Sequence, residues 1–442
     1  MRFINGMLKM WLCGAAIACG FHTADGQSME QIQRDSLKMS HRVVALDKHT
    51  NVDNADSIRR IVDAFYYDQF RHFQDPAAPY FLFMSRDSQL AMGIGGAVRM
   101  RGWYDWGGSM PTNGFVPYMI PVGVNDPATR RKLGTTPAGT CLYFRVIGRN
   151  KKLGNYQLYI EANFNGYSDR DFTLKKAYAT INDWTVGYAS STFSDPAAIA
   201  PTVDAAGPNN KMSATDVLVR WMHTWKGHWT MGASVETPSD RVEGDGSLTK
   251  KANQWLPDFA ALGQYEWDRG QQHVRLAGVV RTLPYCNLQT GKTINKVGWG
   301  LQLSSVARPS RHITTYFTAN TGQGYAGLGG DMLIGAYDLV ADPDRPGQLY
   351  APTSFGWNAG VQYNFSPSVF MSGTFSQTRY LPSHQVSPSD YKYGLYAAIN
   401  AFWYLTPRIM AGAELDLGKR SNFSGEHRWA RRAGAVIQFS FG

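Results

Sequence analysis

The chain has 442 residues, a formal net charge of +10 and a content of 43% hydrophobic and 13% aromatic residues. After the first 26 residues no segment contains 18 consecutive apolar residues, which excludes a bundle of transmembrane helices. Two of the four cysteines lie in the first 20 residues, so only one pair remains in the rest of the chain, which is too few for a disulfide framework. No Cys-x-x-Cys motif or Cys/His cluster indicates a zinc site.

The first residues have the anatomy of a cleaved secretory signal. Two basic residues precede an apolar stretch at residues 10–21, and small residues follow at Ala24 and Gly26. The apolar stretch is shorter than the roughly 20 residues that a spanning helix needs. We therefore expect a signal peptide over residues 1–26. Lipidation of Cys19 is the alternative.

Residues 27–79 have a helical pattern. Ile58, Ile61 and Phe65 recur at helical spacing, and a proline-rich stretch follows because proline cannot continue a helix. The sequence therefore predicts a short N-terminal helical segment. A partly ordered tether is the alternative for residues 27–50.

From about residue 88, apolar and polar residues alternate with a period of two. In residues 156–165, apolar residues such as Leu158 alternate with polar residues such as Glu161. This pattern is typical of strands with lipid on one face and water on the other. Short turns and longer loops rich in Gly, Pro, Asp and Asn separate about 16 such segments. We therefore predict an all-β membrane protein, with an antiparallel transmembrane β-barrel of about 16 strands over residues 88–442.

Eight arginines fall on the polar face of these strands. A charge that faces lipid near mid-membrane costs about 2–4 kcal/mol, so we expect these side chains to point inward. A basic ladder in a narrow wet pore would attract anions, whereas arginines paired with carboxylates would only stiffen the wall. The positive net charge favours the ladder. The predicted pore-lining residues are Arg99, Arg101, Arg145, Arg149, Arg220, Arg275, Arg281 and Arg432. The partners in the pairing alternative are Asp195, Asp204, Glu161, Glu236 and Glu414.

Several stretches resemble the DcaP-like porins. Besides the N-terminal helical segment, these stretches are GIGGAVRMRGWYDW at residues 93–106, LKKAYATINDWTVGYASSTFSDPAAIAPTVDAAGPNN at residues 174–210 and VLVRW at residues 217–221. That family comprises trimeric outer-membrane diffusion channels with a periplasmic helical extension. The resemblance implies a homotrimer in the bacterial outer membrane, with residues 27–79 in the periplasm.

The resemblance also implies that a loop near residues 194–210 folds into the barrel and narrows it. Three prolines and many small residues would make such a loop stiff and thin enough for a lumen. An ordinary surface loop at the rim is the alternative. The residues predicted to form this constriction loop are Asp195, Pro196, Pro201, Asp204 and Pro208.

These observations predict a porin for passive diffusion of small polar, preferentially anionic solutes. We expect contacts with outer-membrane lipid and lipopolysaccharide, and no enzyme activity, cofactor or metal. Nucleic-acid binding is disfavoured because the basic residues form no single stripe.

Two other classes of protein are weighed against the porin. A barrel enzyme or substrate-specific transporter would need a catalytic trio or a large plug. His223 and His228 flank a turn, where an interfacial anchor is the better interpretation. A secreted soluble β-sandwich would bury its apolar face.

Overall fold

Part of the N-terminal segment pairs with the sheet. Arg42–Ala45 is a four-residue strand parallel to Phe81–Met84, so helix is the wrong prediction for those four residues. Two adjacent valines favour a strand once a sheet edge is available. The signal peptide and most of the predicted helical segment lie outside the described residues. The computed structural model describes residues 42–45, 73, 81–84, 90–123, 126–150, 154–165, 171–237, 242 and 246–441.

Sixteen antiparallel strands in the described part of the chain form a closed barrel. Each strand pairs with its neighbours in sequence, and the last strand pairs with the first from Arg431 opposite Trp106 to Ser440 opposite Ala97. Closure gives both edges of the sheet a partner, which removes the aggregation hazard of an open edge. The predicted barrel and its strand number are confirmed.

The bounds of the barrel strands are as follows. They are β1 (Leu90–Trp106), β2 (Cys141–Asn150), β3 (Gly154–Asn165), β4 (Asp171–Ile181), β5 (Trp184–Ser190), β6 (Thr215–Trp225), β7 (Trp229–Glu236), β8 (Asp258–Trp267), β9 (Gln272–Asn287), β10 (Lys292–Ser310), β11 (Ile313–Gln323), β12 (Thr353–Asn364), β13 (Val369–Leu381), β14 (Tyr391–Thr406), β15 (Ile409–Asn422) and β16 (His427–Ser440). Short strands at Arg131–Thr136, Thr249–Lys251, Val340–Ala341 and Leu349–Tyr350 extend the loops.

Helical structure in the described part of the chain is brief. It comprises one α-helix, α1 (Gly330–Ile334), and 3-10 turns at Pro117–Met119, Pro127–Thr129, Pro196–Ala198, Asp268–Gly270 and Ala326–Leu328. None of the described helices is long and apolar enough to span a membrane.

The two faces of the wall have opposite chemistry. On β9, Leu276 and Val280 point outward and are 56% and 52% exposed, whereas Arg275 and Arg281 point inward and are 3% and 1% exposed. This follows from the pleat, which sends successive side chains to opposite faces. The barrel therefore has an apolar outer surface and a polar interior, as the alternation predicts.

The two rims of the barrel differ. Turns such as residues 182–183 and 407–408 join strands at one rim, whereas long loops such as residues 191–214 and 324–352 lie at the other. Because the strand number is even, the barrel begins and ends at the short-turn rim. The long loops are the segments that reach the interior.

Candidate functional site: the barrel interior

The inner wall carries the predicted arginines. Alternation along each strand turns the described side chains among them inward. The side chain of Arg149 lies outside the described residues, and that of Arg99 is half-buried. The remaining six are at most 6% exposed: Arg101, Arg145, Arg220, Arg275, Arg281 and Arg432.

Arg432 on β16 is the centre of one ion-pair cluster. Its Nε and Nη2 donate to the two carboxylate oxygens of Asp105 at 2.7 and 3.0 Å, and its Nη1 donates to Asp204 Oδ2 at 2.8 Å. Arg101 Nη1 lies 3.2 Å from the same oxygen of Asp204. Two guanidinium groups thus face two carboxylates, and Asp204 connects the loop of residues 191–214 to β1 and β16.

Arg281 on β9 is the centre of a second cluster. Its Nε donates to Asp258 Oδ2 and its Nη1 to Asp338 Oδ1, both at 2.9 Å. Asp338 belongs to the loop between β11 and β12 and also accepts from the backbone amide of Gly327 at 3.0 Å. This cluster therefore fixes a second long loop to the inner wall.

The loop of residues 191–214 joins β5 to β6, and Asp195 fixes its first part. Asp195 Oδ2 lies 2.8 Å from His273 Nε2 and accepts from Ser304 Oγ at 2.5 Å, while Arg275 Nη1 lies 3.7 Å from Oδ1. Burial opposes ionisation of this carboxyl, but Arg275 and His273 hold the pKa of Asp195 below its usual range. Pro196 then opens a 3-10 turn.

The middle of the loop is bound by β13, β14 and β15. Glu414 accepts from the backbone amides of Val203 and Asp204 at 2.7 and 2.6 Å. The carbonyl of Pro201 accepts from Ser372 Oγ at 2.7 Å and from Asn400 Nδ2 at 2.9 Å. Backbone groups that would otherwise lack partners are thus satisfied by inward-facing side chains.

The last part of the loop returns towards β11. Asn209, next to Pro208, donates to Asp331 Oδ2 at 2.9 Å, and the carbonyl of Asn210 accepts from Asn320 Nδ2 at 2.9 Å. Asn209 and Asn210 are 3% and 1% exposed. The loop therefore follows the inner wall from β9 to β16 and back, and does not project from the rim.

Of the eight predicted arginines, four have carboxylate partners within 4 Å among the described ion pairs, as in the pairing alternative. Of the expected partners, Asp195 and Asp204 take this role. Glu161 instead accepts from Lys175 at 2.7 Å, and Glu236 accepts from the amide of Thr192 at 2.8 Å. The four paired arginines are Arg101, Arg275, Arg281 and Arg432. The role of the arginines in anion selectivity stays a prediction.

Two solved structures share this barrel. The outer membrane channel DcaP of Acinetobacter baumannii has a TM-score of 0.68 and 18% identity, with 80% of this chain and 98% of that chain covered. The anion-selective porin from Comamonas acidovorans has a TM-score of 0.51 and 11% identity, with 80% and 100% covered. This chain has the porin fold. No family model and no curated protein matches the sequence.

The resemblance to DcaP-like porins is confirmed at the level of the fold. Both compared channels are covered almost completely by this chain, so the porin barrel is present from its first strand to its last.

A phenylalanine from the N-terminal segment lies inside the porin barrel. Phe73 is 7% exposed, and its ring centre lies 4.1 Å from Arg220 Cζ and 5.3 Å from Arg275 Cζ. The ring also belongs to a buried apolar cluster with Met222 and Leu262 on the inner wall. Cation–π contacts thus join the N-terminal segment to two arginines that were predicted to line the pore.

Replacement of Phe73 should open this part of the interior. We expect Phe73→Ala to raise single-channel conductance in planar bilayers, because it removes two cation–π contacts worth about 0.5–2 kcal/mol each. Phe172→Ala is the control, since Phe172 points outward on β4 and is 48% exposed. Equal conductance of Phe73→Ala and the unmodified protein would contradict an obstructing role.

A cavity of about 160 Å³ lies between the inward loop and two other long loops. Its charged lining residues are Lys211 and Asp331. Tyr391 and Asn209 donate to Asp331 at 2.7 and 2.9 Å, whereas Lys211 Nζ donates to the carbonyl of Ala205 at 3.2 Å. Lys211 takes part in none of the ion pairs found among the described residues, so it contributes a positive charge to the cavity, opposite the carboxyl of Asp331.

Sequence reasoning missed His273 and Ser304, which hold the loop, and named Glu414 only as a possible partner of an arginine. His273, Ser304 and Glu414 lie at inward positions, which the alternation could have identified. The contacts with Asp195 join residues 78 and 109 positions apart, and no local pattern records such pairs. Lys211 follows directly after the predicted boundary at residue 210.

Proposed function

We propose that this chain forms a water-filled channel in the bacterial outer membrane for passive diffusion of small polar solutes, with a preference for anions. The closed barrel, apolar outside and polar inside, is the observation that carries the proposal. A closed sheet satisfies its backbone hydrogen bonds internally, as a lipid environment requires. The inward loop of residues 191–214 is the proposed constriction.

Aromatic residues at the short-turn rim support a membrane location. Trp229 is 55% exposed and packs against Tyr265 with ring centres 4.8 Å apart, and His223 packs against Trp225 at 4.6 Å. Such residues favour the interface between lipid and water. We infer that this rim lies at the periplasmic face and that the long loops face outward from the cell.

We propose Lys211 as a further source of the anion preference, beside the predicted arginines. The guanidinium groups of Arg101, Arg275 and Arg432 face buried carboxylates, so much of their field is compensated. Lys211 lines the cavity and forms no ion pair within 4 Å among the described residues. The compared porin from Comamonas acidovorans is anion-selective, which agrees with this preference.

Charge reversal of Lys211 tests the assignment. A two-unit change about 8 Å from a passing ion raises the energy of an anion and lowers that of a cation by about 1 kcal/mol each in water, so Lys211→Glu should shift the anion-to-cation permeability ratio by roughly thirtyfold towards cations. The reversal potential across a salt gradient measures the ratio. Lys226→Glu, an exposed change in a short turn, should leave it unaltered. Cation selectivity of the unmodified protein would overturn the proposed anion preference.

We also propose that three copies assemble in the membrane and contact lipid and lipopolysaccharide. The proposal rests on the DcaP-like resemblance and on the long apolar outer wall. Mass photometry of the detergent-purified protein gives the number of copies, and a monomeric mass would contradict the trimer.

The contacts of Asp195 bear on the alternative of a barrel enzyme. His273 and Ser304 both contact this carboxylate and do not form a relay from serine through histidine to acid. Their arrangement is suited to holding a loop. A substrate-specific transporter is favoured only by the small cavity, and saturation of solute flux at low concentration would identify it.

A further inference from the structure

Two long loops bring together three side chains of metal-binding types on the long-loop side of the barrel. Asp342 and Asp344 belong to the loop between β11 and β12, and His384 belongs to the loop of residues 382–390 between β13 and β14. One oxygen or nitrogen of each side chain lies within 4.8 Å of those of the other two. We call these three residues the loop cluster. No local motif predicts it, because His384 lies 40 positions after Asp344.

The distances in the loop cluster are close to those that one metal ion requires. His384 Nδ1 lies 2.9 Å from Asp344 Oδ2 and 3.5 Å from Asp342 Oδ1. Zinc binds nitrogen and carboxylate oxygen at about 2.0–2.2 Å in a tetrahedral arrangement, which places two ligand atoms about 3.4 Å apart. The Asp344 side chain is 67% exposed and can rotate, so a small adjustment brings all three atoms to coordination distance of one ion.

One histidine nitrogen faces two carboxylates, and a hydrogen bond cannot satisfy both. Nδ1 carries at most one hydrogen, yet oxygens of Asp342 and Asp344 lie within 3.5 Å of it. Among the described residues, neither carboxylate forms an ion pair with lysine or arginine. A cation placed between the three side chains would contact both carboxylates and accept the lone pair of Nδ1. This convergence favours a bound cation over an isolated contact between histidine and aspartate.

The surroundings hold the ligands in place before any ion binds. The turn of residues 342–348 contains two prolines, which restrict its backbone. The amide of Asp342 donates to the carbonyl of Gln348 at 2.9 Å, and the Asp342 residue is only 8% exposed. The ring of His384 packs edge-on against Tyr350, with ring centres 4.5 Å apart. A site arranged in this way loses little conformational entropy when a ligand binds.

We propose that the loop cluster binds a zinc ion. Imidazole nitrogen together with carboxylate oxygen suits zinc and related transition metals, whereas calcium and magnesium take oxygen ligands. Three protein ligands leave a fourth position for water, and the exposure of Asp344 gives an ion access from solvent. The proposal does not depend on what passes through the channel.

Bound zinc would join the two loops. The loop between β11 and β12 is already fixed to the inner wall through Asp338 and Arg281. An ion at the loop cluster would extend that anchorage to residues 382–390. We therefore expect zinc to slow hydrogen exchange of the backbone amides in residues 382–390 of the unmodified protein.

Zinc titration of the detergent-purified full-length protein without a polyhistidine tag tests the site. Isothermal titration calorimetry with zinc chloride should find a site that His384→Ala weakens by at least about tenfold, as loss of a direct ligand implies. His427→Ala is the matched control, because His427 is an exposed histidine at the same rim whose Nδ1 lies 3.3 Å from the carbonyl of Gly425. It should leave the zinc affinity unchanged.

His384→Gln separates a metal site from a hydrogen bond between the loops. Glutamine can still donate to Asp344 but is a poor zinc ligand, so this variant should lose zinc binding and the zinc-dependent slowing of hydrogen exchange. Its unboiled migration on a gel should equal that of the unmodified protein, which shows that the barrel is folded. Cobalt(II) bound in place of zinc should absorb without the thiolate charge-transfer band that Cys286 would produce.

Three results would overturn the site. They are equal zinc affinity of His384→Ala and His427→Ala, unaltered zinc affinity of His384→Gln, and full displacement of zinc by calcium at matched concentration, which would indicate oxygen ligands alone. Bilayer conductance separates this inference from the channel. Zinc binding by a protein without any conductance would contradict only the channel.

Discussion

Arg432→Ala is expected to lower the free energy of unfolding by about 3–5 kcal/mol, because it leaves buried carboxylates without their partner. Asp105 is 0% exposed and Asp204 is 2% exposed, so water cannot replace the guanidinium without rearrangement. The change also removes the contact between Arg432 Cζ and the Trp103 ring, whose centre is 4.9 Å away. Urea unfolding in phospholipid vesicles, followed by tryptophan fluorescence, measures the loss.

The neighbouring arginine provides a matched control. Arg431 lies on the same strand but points outward and is exposed. Arg431→Ala should change the unfolding free energy by no more than about 0.5 kcal/mol. Similar losses for the two variants would show that the inner ion pairs contribute no more than surface charge does.

Asp195→Ala is expected to release the first part of the inward loop and to raise single-channel conductance. Without the carboxylate, Arg275 and His273 would remain buried without their partner, at a cost of about 3–5 kcal/mol while the loop stays in place. Movement of the loop relieves that cost and enlarges the passage. Asp195→Asn keeps the volume and should give a smaller increase. Conductance equal to that of the unmodified protein in both variants would contradict the role of Asp195 as an anchor.

The same carboxyl gives a pH dependence. Its pKa is below the usual value in the folded protein because of Arg275 and His273, so ionised Asp195 stabilises the loop above about pH 4, the ordinary aspartate pKa. This stabilisation is lost as the pH falls towards the lower folded value. Conductance of the unmodified protein should therefore rise on acidification, and Asp195→Asn should lack that part of the response.

Much of the fold could be predicted because its cause is local. Alternation in residues 156–165 gives the faces correctly: Leu158 is 39% exposed and Glu161 is 1% exposed. Lipid and water on opposite sides of each strand impose this pattern at every strand, so counting segments gave the right number. The inward position of Arg281 follows from the same rule.

The partners of the inward residues could not be predicted, because they depend on how long loops return to the wall. Asp338 reaches Arg281 across 57 positions, and Glu414 binds the amide of Val203 across 211 positions. Next to Lys175, a register shift between β3 and β4 interrupts the alternation, so a strict period of two does not predict it. The alternation indicates which side a residue faces, whereas the loops decide what it meets there.

The inward loop has a mechanical consequence for the barrel. A cylinder one sheet thick flattens easily under sideways pressure, as a thin tube does. Hydrogen bonds from this one loop to β9, β13, β15 and β16 connect strands across about half of the circumference. Distortion of the round cross-section of the barrel to an oval must therefore stretch several of these hydrogen bonds at once. The half of the wall from β2 to β7 has fewer such hydrogen bonds to the loop among the described contacts. We expect lateral pressure in the membrane to deform that softer half, with the braced half keeping its cross-section.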